Sequence, residues 1–205
     1  MRQLRIACLG ASGSGKTTIA NFIQEEFGIP FFPNSAGLVI PERDKEFLRS
    51  TYRWKENGHA EVIRLSNQFP SFGQTFQRKL LEARGRVIMN NEQFVIDRSP
   101  VDNVAYMLSQ CSHLAPEAWV ADFIMQAQDY AEKLTHLIIF PSLAKEIEVN
   151  GSRVANKYFQ RMSTALFEHA YKTYFEPLME SGKTLTLNTW DLDEKKDLVR
   201  SFLSE

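Results

Sequence analysis

The sequence predicts an α/β fold, a parallel sheet with helices on both faces. Three observations carry that prediction. Short apolar runs alternate with longer helical patterns, which implies βαβ units. A glycine-rich stretch stands between the first run and the first helix. The 205 residues are 43% hydrophobic, enough for one substantial core in a single domain over residues 1–205.

Taken in order, residues 4–9 read as a buried strand and residues 17–27 as the helix after it, ended by Gly28. Further strands are expected at 29–32, 93–97, 134–140 and 184–187. Helices are expected at 42–52, 59–67, 73–84, 100–110, 116–134, 154–179 and 193–203. The helix at 154–179 has the clearest period, with Tyr158, Met162, Ala165, Leu166 and His169 on one face. In parallel sheets a ligand sits beyond the carboxyl ends of the strands. That gathers Gly10 onward, Asp97 and Pro141 onward around one site.

Net charge is −1, which makes no general case for nucleic-acid or membrane binding. The distribution is uneven. Residues 43–86 hold ten Lys/Arg against five Asp/Glu, so the stretch carries +5 and the remainder about −6. The two cysteines, Cys8 and Cys111, form neither a disulfide framework nor a CxxC pair. A reducing, cytoplasmic setting is expected (host cytoplasm if the source is viral). No apolar run is long enough for a signal-peptide core or a membrane span. The four histidines show no metal-ligand spacing, and His136 reads as structural.

The stretch Gly10-Ala11-Ser12-Gly13-Ser14-Gly15-Lys16-Thr17 fits GxxxxGK followed by Ser or Thr, the P-loop of an NTPase three-layer sandwich. Glycines let the backbone close around phosphate with its N–H groups pointing inward, and the next helix adds its positive end. Gly10, Ser12, Gly13, Ser14, Gly15, Lys16, Thr17 and Thr18 are the expected ATP contacts. Lys16 would reach the β- and γ-phosphates, and Thr17 would hold Mg²⁺.

Asp97-Arg98 follows the third apolar run. A strand-end Asp beside a P-loop can hold Mg²⁺ through water or orient an acceptor hydroxyl, and the adjacent Arg can grip a phosphate. The alternative is Asp97 capping the helix at Pro100 with Arg98 in a surface ion pair. DxxG and NKxD are absent, and Arg98 stands where motor ATPases usually carry Glu. These gaps weigh against hydrolysis as the main activity. Arg153 follows Asn150-Gly151-Ser152, and Lys157 and Arg161 recur four and eight residues later. Together they read as a cationic lid over about 141–157. The acceptor is expected against residues 41–86, with Glu42, Arg43, Phe72 and Gln74 as candidate contacts.

The P-loop and the run Asp97-Arg98-Ser99-Pro100-Val101-Asp102-Asn103-Val104-Ala105-Tyr106 resemble the thymidylate kinase-like nucleotide kinases. Pro41-Glu42 and Gly151-Ser152-Arg153 are similar to the broader group of small P-loop kinases that includes ribosylnicotinamide kinase domains. The resemblance implies a five-stranded sheet of order 2-3-1-4-5. It implies a kinase using ATP and Mg²⁺, with a thymidylate-like deoxynucleoside monophosphate as the leading acceptor. Catalysis would rest on Lys16, Asp97, Arg98 and Arg153, with metal held at Thr17 and Asp97. Departures are Ser99, where an aromatic is usual, and the lack of a clear arginine-rich lid. Some similar phage kinases phosphorylate 5-hydroxymethyluracil in DNA. Basic charge interleaved with aromatics over 43–86 suits such a polymeric acceptor as well. A nucleoside or ribosylnicotinamide kinase, a non-catalytic nucleotide switch and a homodimer stay open at this level.

Overall fold

The computed structural model describes residues 3–11, 13–33, 64–141, 157–179 and 183–204. Its strands are β1 (Arg5–Gly10), β2 (Phe31–Phe32), β3 (Phe94–Ile96), β4 (His136–Phe140) and β5 (Thr184–Thr186). All pairings are parallel, in the order β2-β3-β1-β4-β5. This is the order the resemblance implies. Strand β1 has the predicted six residues, shifted by one, and the other four strands are shorter than the apolar runs that announce them. Backbone pairing needs a neighbour along its whole length, and edge strand β2 has one on a single side.

The helices are α1 (Lys16–Phe27), α2 (Pro70–Asn90), α3 (Pro100–Gln110), α4 (Glu117–Ala131), α5 (Lys157–Ala170) and α6 (Leu192–Ser204). The bounds of α3 are the predicted ones, because Ser99 caps it and Pro100 opens it. Helix α2 is longer than predicted at both ends. The expected helix 154–179 lies partly outside the described residues and is not uniform where described. After α5 the chain passes into a π turn (Tyr171–Phe175) and a 3₁₀ turn (Glu176–Leu178). Pro177 has no N–H to donate and its ring clashes with the preceding turn, so the α ladder does not continue through it. The predicted helix 42–52 lies outside the described residues, and of 59–67 only residues 64–67 are described; these are helical.

Alternate residues of β1 point to opposite faces, as the strand period requires. Ile6 and Cys8 pack with Ile19, Ile23 and Val199 of α1 and α6. Ala7 and Leu9 pack with Leu81, Val104 and Phe123 of α2, α3 and α4. Both faces are therefore covered, as a parallel sheet demands. Phe94, Phe123 and Phe175 are fully buried, and truncating any one to Ala should cost about 3–5 kcal/mol. Both cysteines are free and buried. Burial pushes the Cys111 thiol up to about 11, and burial with Asp97 nearby pushes Cys8 up as well. His136 is buried and stands edge-on to the Phe202 ring, as a core residue should. No helix among the described residues is long and apolar enough to cross a membrane.

In this register Gly10 ends β1 opposite Phe140 at the end of β4, and Asp97 follows directly on β3. The carboxyl edge of the three central strands thus presents residues 10, 97 and 141 together.

Candidate active site

The loop leaves β1 at Gly10 with φ at +144°, and a Cβ there would stand 2.4 Å from the Phe140 carbonyl oxygen. Only glycine fits a turn that lies this close to the neighbouring strand. Gly15, at φ +93°, is the N-cap of α1 and supplies no side-chain cap. The first N–H groups of α1 are therefore left for a ligand, and an anion suits them.

Lys16 is the first residue of α1, yet its side chain folds back and is 4% exposed. Its ammonium donates to the Ala11 carbonyl and, at 3.2 Å, to Ser14 Oγ. Among the described residues none of its hydrogen-bond partners is a carboxylate. Burial, with the nearby Arg98 charge, lowers its pKa to about 7. This is a cation poorly compensated by the protein and set beside an anion-binding loop.

Thr17 Oγ1 donates to Asp97 Oδ2 at 2.6 Å across 80 residues of sequence. The two residues predicted to hold Mg²⁺ are thus in contact at the mouth of the loop. A hard divalent cation takes oxygen ligands and keeps several of its waters. A hydroxyl and a carboxylate beside an anion loop fit that requirement. Thr18 is exposed on the first turn of α1, and Ser12 lies outside the described residues.

Arg98 departs from its predicted surroundings. Its Nη1 donates to the Gly10 carbonyl at 2.9 Å and to Asp102 Oδ1 at 3.0 Å. Its guanidinium lies over the Tyr106 ring, 5.3 Å from the centroid. Burial opposes its charge, but Tyr106 and Asp102 outweigh burial and raise its pKa above the ordinary arginine value. Asp102 is fully buried. It also accepts from the Ser99 N–H and hydroxyl at 2.7 Å each, and from the Gly10 N–H at 3.5 Å. The cap of α3 is therefore the Ser99–Asp102 capping box, not Asp97, and the Arg98 ion pair is largely buried rather than superficial, with its Asp102 side fully so. Asp97 is left for the loop.

Phe72 and Gln74 lie on the opening turns of α2. Phe72 stacks on Phe76 with centroids 5.9 Å apart, and Gln74 donates to the Leu114 carbonyl at 3.5 Å. Gln74 also lines a cleft of about 330 Å³ with Arg78 and Trp119. This end of α2 meets the far end of α3, roughly 15 Å along that helix from Ser99 at 1.5 Å per residue. The structure therefore does not bring Phe72 and Gln74 to the phosphate loop. Glu42, Arg43 and Arg153 lie outside the described residues, as do most of the lid at 141–157 and residues 41–63 of the expected acceptor region 41–86. The side chains of Lys157 and Arg161 are likewise outside them.

Sequence reasoning missed two features. One is a buried polar row between α2 and α3, which run antiparallel. Gln77 Nε2 donates to Gln110 Oε1 at 2.5 Å, and Arg84 bonds Asn103 Oδ1 and the Ser99 carbonyl. Burial lowers Arg84 to about 10. Gln77 Oε1 is buried and has no hydrogen-bond partner among the described residues. The seven-residue spacing of Gln77 to Arg84 and of Asn103 to Gln110 could have shown the row, since it repeats one face of each helix. The other is Lys195 of α6, which touches the phosphate loop and has no motif to announce it.

Residues 5–180 match a family model described as an AAA domain. The chain belongs to the AAA domain family. Among solved structures, this AAA domain chain is similar to deoxyadenosine kinase from M. mycoides with products dCMP and a flexible dCDP bound. Identity is 14%, 98% of each chain is covered, and the TM-score is 0.60. NadR in complex with NR matches at 11% identity and TM-score 0.58, over 98% of this chain and 50% of that one. YorR from Bacillus subtilis, in complex with phosphorylated GDP, matches at 12% and 0.55, over 97% and 95%. No curated protein sequence matches. The fold is that of the P-loop kinases.

Proposed function

We propose that the protein is an ATP- and Mg²⁺-dependent kinase whose acceptor is a hydroxyl of a nucleoside-like small molecule. One observation carries this choice: Arg98, the residue expected to grip an acceptor phosphate, is already engaged by Asp102 and the Gly10 carbonyl. A monophosphate acceptor needs such a clamp beside the transferring group, whereas a hydroxyl acceptor needs a carboxylate to orient it. Asp97 is that carboxylate. Solved structures of similar fold include a deoxyadenosine kinase and NadR bound to NR.

In this reading the loop N–H groups of residues 13–17 and the Lys16 ammonium bind the donor phosphates. Thr17 directly and Asp97 through a water would hold Mg²⁺, which when bound would neutralise charge on the β- and γ-phosphates. Asp97 accepts the hydroxyl proton as the acceptor oxygen bonds to the γ-phosphorus. The bond from that phosphorus to the β-bridging oxygen breaks, and ADP leaves. Arg153 and the lid would exclude water. Positioning and charge stabilisation do most of the work, as phosphoryl transfer generally allows.

The test is transfer of label from γ-labelled ATP to a panel of acceptors. The panel holds deoxynucleosides, ribosylnicotinamide, dTMP, hydroxymethyl-dUMP and DNA containing hydroxymethyluracil. Label on a nucleoside hydroxyl is the expected result. Label confined to dTMP would instead make the chain a thymidylate-like monophosphate kinase. Label confined to DNA, with strong salt dependence, would make it a DNA-level kinase. ADP release with no acceptor labelled would remove the kinase reading.

A further inference from the structure

The phosphate loop is touched by a second lysine. Lys195 lies on the opening turn of α6, 181 residues from Ser14, and its ammonium donates to the Ser14 carbonyl at 3.4 Å. The side chain is buried between two rings, with Nζ 5.8 Å from the Phe140 centroid and 5.4 Å from that of Trp190. Nζ also stands 3.6 Å from the place a Cβ on Gly15 would occupy, so the ammonium lies beside the last peptide of the loop. None of its hydrogen-bond or ion-pair partners among the described residues is a carboxylate. Burial lowers its pKa. An ammonium held in this way is not an ordinary surface lysine that has found a partner. The aromatic faces stabilise its charge and the loop carbonyl is its hydrogen-bond acceptor.

The geometry of one peptide gives this contact a consequence. In a planar trans peptide the carbonyl and the following N–H point in opposite directions. With the Ser14 carbonyl turned toward Lys195, the Gly15 N–H is turned to the other side of the loop. Gly15 has φ +93°, a conformation that glycine adopts without strain but that a flexible loop does not hold by itself. Something must select it. We propose that Lys195 is a positioning residue for the donor phosphates: by holding and polarising the Ser14 carbonyl it aims the Gly15 N–H at the bound phosphate. The proposal rests on the kinase reading above. It assigns to α6, the C-terminal helix, a part in donor binding that Lys195 exerts through the loop backbone and not by touching the nucleotide.

Calorimetric binding of ADP, AMP and adenosine, in the absence of any acceptor, tests it. Lys195→Met should weaken ADP binding about tenfold, the loss expected for one charge-assisted contact. AMP should weaken less, and adenosine by no more than about twofold, because the effect enters through the phosphates. Lys195→Gln, which keeps a donor without the charge, should fall between Met and wild type, and it replaces Met in the comparison should that variant fail to fold. A folded Lys195→Met or Lys195→Gln that binds ADP as wild type does would overturn the proposal. So would losses of equal proportion for ADP and adenosine, which would mean a general loosening of α6. Wild-type protein that binds no ADP would fail the kinase reading itself, a result distinct from either of these.

Discussion

Lys16 and Arg98 follow neighbouring strands, Lys16 opening α1 beyond β1 and Arg98 standing two residues past β3, and sequence gives both the same signal: a cation beside a phosphate site. The structure gives them opposite states. Lys16 is buried, its hydrogen-bond partners among the described residues are a carbonyl and a hydroxyl, and its pKa falls to about 7. Arg98 is largely buried against a carboxylate, a carbonyl and a ring, and its pKa rises. The first arrangement is unfavourable until an anion arrives. The second is complete within the protein. A cation's role at a site is therefore set less by its nearness to the ligand than by whether the fold has already neutralised it.

Substitutions can break that contrast, beginning with the largest effect. Lys16→Met should lower kcat/KM for transfer from ATP by about a thousandfold, the scale of a cation on a transferring phosphoryl group. Removing a buried, poorly compensated charge should leave Tm unchanged or higher. Asp97→Asn should lower kcat by about a hundredfold and raise the Mg²⁺ concentration needed for half-maximal rate, because it weakens both oxygen roles at once. Asp102→Asn should act mainly on stability. It leaves Arg98 buried without its counter-charge and weakens the cap of α3, a loss of about 3 kcal/mol in denaturant unfolding. Arg98→Lys should behave alike but more mildly, with a lower Tm and little change in acceptor KM. A normal Tm with a raised acceptor KM would instead return Arg98 to the role of phosphate clamp.

Stability should also depend on pH through Lys16. Its folded pKa of about 7 lies below its ordinary 10.5. Between those values the unfolded chain holds a proton that the native state has released, so this group's contribution makes unfolding harder as pH rises through the window. Below about pH 7 both states are protonated and the contribution is flat. Lys16→Met should remove this rise, as followed by thermal melts across the interval.

The geometry of the loop at Gly10–Thr17 is legible because a phosphate loop is local. Its glycines, lysine and threonine are contiguous, and the backbone geometry they need is written in residue type. Asp97 was legible because strand ends gather at one edge in a parallel sheet. Lys195 was not, since its contact with Ser14 is made only when α6 folds back across the sheet. Gln77 and Arg84 were hidden for another reason. Polar residues on a helix read as solvent-facing, and only packing of α2 on α3 reveals that theirs is the buried side. The break at Tyr171 was hidden by a strong helical period, although Pro177 was the signal that the period would fail. The partner of Arg98 is hidden in the sequence, which shows a charge without showing that Asp102, four residues on, pairs with it.

The most direct measurement is calorimetric titration of Mg²⁺–ADP into the protein in two buffers of different ionisation enthalpy at about pH 8. Lys16, neutral in much of the free protein there, should be drawn to its charged form by the phosphates, so binding should take up protons. Lys16→Met should bind more weakly and take up none. Binding that is equally tight in both proteins, with no proton uptake in either, would contradict the reading of Lys16 as a charge held for the donor.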